Sequence, residues 1–339
     1  MGQKIWTSIA GAVGMLLLIL DTRTAFNGAK DAIELCLRTV IPSLLPFFVF
    51  STLLTSGLTG MNLRILKPFG ALLRIPKGAE PIFLVGALGG YPTGAHAVAD
   101  GFTSGQISKQ DARRMLGFCS NAGPSFLFGI AGLCFTSPER PWILWSIHLL
   151  SALLTGMLLP GGSRNVTTLS RNKAVTLPAA LKRSLQTTAQ VCGWIVIFRV
   201  LLAFLQRWFL WLFPPIHQIL THGFLELTIG CLSLVLMESE GLRFILCAGF
   251  LAFGGLCITM QTMSVTAPVG MGMYLPGKLL QMLISILLAA VYQQFAFSGD
   301  AICHANLAFY LFLMAIGGIL LLFLKKREKS CSNYALNRV

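Results

Sequence analysis

Two short stretches, Gly89-Gly-Tyr-Pro-Thr-Gly94 and Asn121-Ala-Gly-Pro-Ser125, decide how the rest of this chain reads. Each interrupts the largely apolar run from Leu84 to Ala131, where a membrane-crossing helix should continue unbroken. Lipid offers backbone N–H and C=O groups no partners, so a break survives there only where protein or a watery cavity satisfies the freed groups. Secondary transporters place solute and ion sites at such breaks.

The composition around these breaks is that of a membrane protein. Of 339 residues, 55% are hydrophobic and 11% charged, against about 25% charged in soluble domains. Apolar windows suited to spanning run over Ile5–Leu20, Ile41–Leu58, Trp142–Leu159, Ala189–Gln206, Phe224–Met237, Leu279–Phe297 and Leu307–Leu324. The interrupted windows Pro81–Ala99, Met115–Phe135 and Phe244–Val265 predict re-entrant hairpins or discontinuous helices. The expectation is an all-α polytopic protein with about eight transmembrane helices. Ile5–Leu20 follows Lys4 as a signal peptide would. It is long, however, lacks an Ala-x-Ala site and runs into Asp21-Thr-Arg23, so it reads as a retained span.

The formal charge of +14 is not a nucleic-acid signal, because the basic residues flank membrane segments. Arg64, Lys67, Arg74 and Lys77 share one loop; Arg164, Arg171, Lys173, Lys182 and Arg183 share another; Lys325, Lys326, Arg327 and Lys329 follow the last window. Short basic loops stay cytoplasmic, which predicts that all three lie inside a bacterial cell membrane. The nine cysteines and five histidines show neither disulfide nor metal-ligand spacing. No metal or other cofactor is expected, and the absence of nucleophile-elbow, zincin or phosphate-loop motifs argues against an enzyme.

A basic linker over 160–186 divides the chain into a first membrane repeat (1–159) and a second (187–325), with a basic tail over 326–339. The halves align loosely as two pseudo-repeats. Each has a leading span, a span opened by a polar or Pro-containing turn (Pro42 to Pro46; His222 to Glu226), a run broken by a glycine pair (Gly89-Gly90; Gly254-Gly255), a second break (Asn121 to Pro124; Tyr274 to Lys278), and closing spans. Ala25–Thr39 carries its apolar residues on one stripe and predicts an interfacial amphipathic helix. Ser108 with Asp111 three residues on predicts a capped helix between the two breaks.

The candidate solute-binding residues follow from the breaks. Gly90, Tyr91, Pro92, Thr93 and Gly94 form the first; Asn121, Gly123, Pro124 and Ser125 the second; Gly254 and Gly255 the third, with Gln261, Thr262 and Lys278 flanking it. Helix N-termini opening at such gaps suit an anion. Arg199 sits mid-window, where a charge costs roughly 3 kcal/mol or more unless paired. Glu226, opening the next window, is its expected partner, either as a structural ion pair or in a solute role.

Val40-Ile-Pro-Ser-Leu-Leu-Pro-Phe-Phe48, Gly89 to Ala95, Gly105 to Lys109 with Arg113 and Arg114, Phe118 to Ser125, the Glu226 segment, Gly254 to Gln261 and Tyr274 to Lys278 resemble, in order, the YlbJ-type sporulation integral membrane proteins, which carry a nucleoside-recognition or Gate domain. The chain departs from that pattern at Ala122 and Ser125. The resemblance implies a forespore-associated membrane protein that moves dipicolinic acid. The partners expected are therefore a small anionic solute and the lipid bilayer, with self-association left open. Nucleoside transport and a non-transporting sporulation scaffold are the alternatives.

Overall fold

The computed structural model describes residues 2–58, 64–162 and 175–296, and among them every regular element is helical. Among the described residues, five helices are long and apolar enough to cross a membrane: Thr22–Leu54, Arg140–Leu158, Leu177–Trp208, Glu240–Val265 and Tyr274–Phe295. The window Leu307–Leu324, the basic residues after it, and Arg164, Arg171 and Lys173 lie outside the described residues.

Helix α1 (Gly2–Leu20) leads into α2 (Thr22–Leu35) and α3 (Ile41–Leu58). A π turn over Cys36–Val40 joins the last two without a break. The expected interfacial helix over Ala25–Thr39 is therefore not a separate element but the first half of a long rod. The Ile41 amide donates to the Cys36 carbonyl, and this wider turn carries the helix past Pro42, whose nitrogen has no hydrogen to give.

After the short α4 (Lys67–Leu72), α5 (Pro81–Gly89) and α6 (Thr93–Thr103) form an antiparallel hairpin. Gly101 lies beside Ile82 and Gly94 beside Gly86. The segment thus turns back on itself at Gly90–Pro92 instead of crossing. Helix α7 (Lys109–Cys119) and α8 (Pro124–Gly129) are two pieces of a broken helix with extended backbone between them, and α9 (Arg140–Leu158) follows. As expected, Ser108 Oγ accepts from the Asp111 amide at 3.1 Å and starts α7. The carbonyls left free at the end of α9 are met by two arginines. Arg74 donates to the Met157 and Leu159 carbonyls at 2.8 and 2.7 Å, and Arg114 to those of Gly156 and Leu73.

Helix α10 (Leu177–Trp208) has 32 residues and runs about 48 Å, beyond the ~30 Å of a bilayer's hydrocarbon core. It lies antiparallel to the α2–α3 rod, since Asp21 meets Arg207 at 2.9 Å, Asp31 meets Arg199 at 3.5 Å, and Ser56 Oγ accepts from the Val175 amide at 3.2 Å. Next come α11 (Pro215–Leu225) and α12 (Leu227–Ser233), then α13 (Glu240–Phe253), α14 (Gly255–Val265) and α15 (Tyr274–Ala296). Helices α11 and α12 form a second hairpin, with Gly223 against Gly230 and His222 hydrogen-bonded to Ser233 at 2.8 Å. The window Phe224–Met237, read as a span, is an arm of this hairpin. Its apolar run is shorter than the ~20 residues a crossing needs.

Prolines occupy the first turn of α5, α8, α9, α10 and α11. A missing N–H costs nothing at that position, so the chain uses proline to start helices as well as to end them. The two hairpins open toward opposite ends of α10: Gln218 of α11 bonds Gln206 near its end at 3.1 Å, whereas α5 and α6 lie beside Arg183 and Ser184 near its start.

Candidate functional site

Both hairpin tips and both helix breaks meet in the middle of the molecule. At the first tip, Gly90 takes φ +74°, and a methyl group there would lie 2.9 Å from the Gly123 amide nitrogen. Only glycine combines that left-handed conformation with so close a backbone approach. Gly86 and Gly94 face the Cys119 carbonyl in contact too tight for any side chain. Tyr91 extends from the same tip to the third break, where its hydroxyl lies 3.2 Å from the Leu251 carbonyl and its ring packs on Gly254, at φ +83°. The residue after it, Gly255, abuts the Leu225 carbonyl at the second tip.

Glu226 forms that second tip. It is buried, and its two carboxylate oxygens accept the Thr228 and Ile229 amides at 3.0 and 2.7 Å. It is thus the N-cap of α12, satisfying backbone donors with a favourable charge at a helix start. Arg199 is not its hydrogen-bonding partner. That side chain is one-third exposed on the α10 face toward α2 and pairs with Asp31, which places it outside the site.

The tips and breaks enclose a small chamber lined by Gly90, Tyr91, Gly123, Ser125, Glu226 and Gln261, among others. Its volume of about 30 Å³ admits a water molecule or two and no organic solute. Gln261 is 4% exposed, and its Oε1 has no hydrogen-bond partner among the described residues. A buried acceptor without a partner costs roughly 1–3 kcal/mol, so this oxygen is a ready point of contact for whatever enters.

Lys278 lies behind Tyr91, wholly buried on α15. Its ammonium donates to the Tyr91 hydroxyl at 3.0 Å and to Gln281 Oε1 at 2.6 Å, with the Tyr91 ring 5.1 Å away. Gln281 passes the chain on, its amide donating to Asn121 Oδ1 at 3.0 Å, and Asn121 donates to the Phe118 carbonyl at 2.8 Å. His148 Nε2 accepts the Ala122 amide at 3.0 Å. A polar network therefore satisfies the backbone freed by the second break and ties it to the first tip. Asn121 and Lys278 act here as a brace and do not line the chamber.

Of the remaining candidates, Pro124 starts α8, Thr262 is buried in α14, and Thr93 faces a separate cavity beside α10. Gln281 and His148 escaped the sequence reading. Lys278, Gln281 and Ser285 recur at i, i+3 and i+7 within the apolar run of α15, all fully buried, and that stripe was the available signal.

Fold and site together define a polytopic α-helical membrane protein whose helices are interrupted at a shared interior point. Over 212 residues the chain is 27% identical to the sporulation integral membrane protein YlbJ of Bacillus subtilis (strain 168). That alignment covers 54% of this chain and 52% of the relative, so the matched part is about half the relative's length. No family model matches the chain, and no solved structure matches it.

Proposed function

We propose that the protein is a carrier rather than an enzyme, moving a small polar solute across a sporulation-associated bacterial membrane through the chamber between the tips. One observation supports this above the others: two hairpin tips and two helix breaks converge on a cavity holding an unpartnered buried acceptor, Gln261 Oε1. Broken helices meeting at mid-depth are the arrangement that serves solute binding in carriers. Tyr274 to Lys278 opens the continuous helix α15 and is no break, so the pairing expected from the sequence shifts. The halves are read as inverted pseudo-repeats in which the Gly90 tip answers the Glu226 tip and the Asn121 to Pro124 break answers Gly254-Gly255, with the hairpins entering from opposite ends.

The solute favoured is a dicarboxylate of the dipicolinate kind, as the resemblance to YlbJ-type proteins implies. Helix α8 starts at the chamber without a side-chain cap, leaving partial positive charge for an anion. Glu226 favours a second reading. A carboxylate with Gln261 beside it could accept hydroxyl groups, as a nucleoside would require.

Calorimetry on purified protein separates the two. Dipicolinate is expected to bind at least tenfold more tightly than uridine, a difference of about 1.4 kcal/mol. Equal or tighter uridine binding transfers the assignment to nucleosides, and binding of neither removes both.

A further inference from the structure

A second cavity, of about 340 Å³, lies beside the chamber between α3, the first hairpin and the start of α10. Its wall is apolar along α5, at Ile82 and Val85, and polar between α6 and α10, where Thr93, His96 and Asp100 face Arg183, Thr187 and Gln190. Polar side chains at such depth sit where water reaches them. Ser184, also in the wall, is 1% exposed with its hydroxyl unpartnered among the described residues. Exposed Ser104 and Arg183 lie in its wall, on the side of the basic loops.

The two cavities share one residue, Phe48, which is 3% exposed and lines both. The residues of the π turn and α3 that face them recur every fourth position: Val40 and Leu44 line the chamber, Thr52 and Ser56 the larger cavity, and Phe48 stands between. Helix α10, running the other way, changes character at the same level. Ser184, Thr187 and Gln190 face the polar cavity, and Val191 and Ile195 face the chamber. The larger cavity therefore ends at a single aromatic ring, packed among Leu44, Val191 and Ile195, that also forms part of the chamber wall.

We infer that Phe48 is the gate between a water-filled vestibule, open on the basic-loop side, and the chamber beneath Glu226. The inference rests on reading the chamber as the solute path and specifies how that path is closed. Movement of one ring joins 340 Å³ of vestibule to 30 Å³ of chamber, and passage of an organic solute then requires the tips to part as well.

Thiol accessibility tests this without a cargo. Gln190→Cys reports the vestibule and Ser125→Cys the chamber, in vesicles exposing the basic-loop face to a small charged methanethiosulfonate, with the modified cysteine located by mass spectrometry. With Phe48 intact, Gln190→Cys is expected to react readily and Ser125→Cys slowly. Phe48→Ala should accelerate Ser125→Cys at least tenfold and leave Gln190→Cys unchanged, which also reports that the fold is intact. Should Phe48→Ala fail to fold, Phe48→Leu takes its place with the same direction expected and a smaller acceleration. Fast labelling of Ser125→Cys behind an intact Phe48, or no acceleration in the variant that folds, overturns the gate. Because no solute is involved, failure of dipicolinate and uridine to bind leaves this result standing, and the two readings fail separately.

Discussion

Replacing Gly86 by alanine is expected to cost about 3 kcal/mol, the upper end of ordinary overpacking, and to separate the first hairpin from the break beneath it. A methyl group at Gly86 would overlap the Cys119 carbonyl oxygen, and Gly94 meets the same carbonyl from the opposite arm. The obstacle is backbone and not the end of a flexible side chain, so neither partner can yield without moving α5 or α7. Gly193→Ala provides the contrast. Nothing lies within 4 Å of a methyl group there, and alanine's helix preference should leave stability unchanged or raise it by about 1 kcal/mol or less. Thermal unfolding of the two variants in one detergent measures the difference. Similar unfolding temperatures would mean that the hairpin is not seated on the Cys119 carbonyl.

The Lys278 brace supplies the second large effect. Gln281→Leu removes the 2.6 Å acceptor from a fully buried ammonium and strips Asn121 Oδ1 of its donor. Hydrogen bonds to charged groups are worth about 1.5–3 kcal/mol, and a buried charge stripped of a partner pays its desolvation again. Lys278→Met takes away the charge itself and keeps the stem's bulk, which for buried ions is often close to neutral. Gln281→Leu should therefore destabilise by about 2–3 kcal/mol more than Lys278→Met, read as the difference between their unfolding free energies in mixed micelles. A Lys278→Met variant at least as unstable as Gln281→Leu would show that the lysine holds the site together by some other contact.

Much of this arrangement can be read from the residues alone. The glycine and proline runs at Gly89–Gly94 and Asn121–Ser125 mark the breaks because no other composition is so unsuited to a continuous apolar helix, and Ser108 marks its helix by cap chemistry three residues long. What escaped was long-range or ambiguous in period. Arg199 and Glu226 lie in neighbouring windows and carry opposite charge, but Glu226 is consumed by amides two and three positions along its own chain, and Arg199 reaches back to Asp31. The π turn at Cys36–Val40 shifts the helical register once, so an amphipathic stripe that stops at Thr39 looked like the end of an element. The stripes through Phe48 and Lys278 were present in the sequence, each at helical spacing. Their meaning depends on which helix faces them, and a lone apolar or polar stripe does not specify its partner.

Tips from both halves of the chain bound one chamber, the proposed path of the solute. Ser125, just after the second break, and Thr228, just after the Glu226 tip, both line it. With Ser125→Cys and Thr228→Cys combined, a short bifunctional methanethiosulfonate, applied to the protein in liposomes for long enough to label Ser125→Cys alone to completion, is predicted to join the two peptides, as mass spectrometry would identify, and to abolish dipicolinate flux. Either single variant should lose far less. Failure of the two positions to cross-link, or cross-linked protein that still passes dipicolinate at the unmodified rate, would contradict the shared chamber.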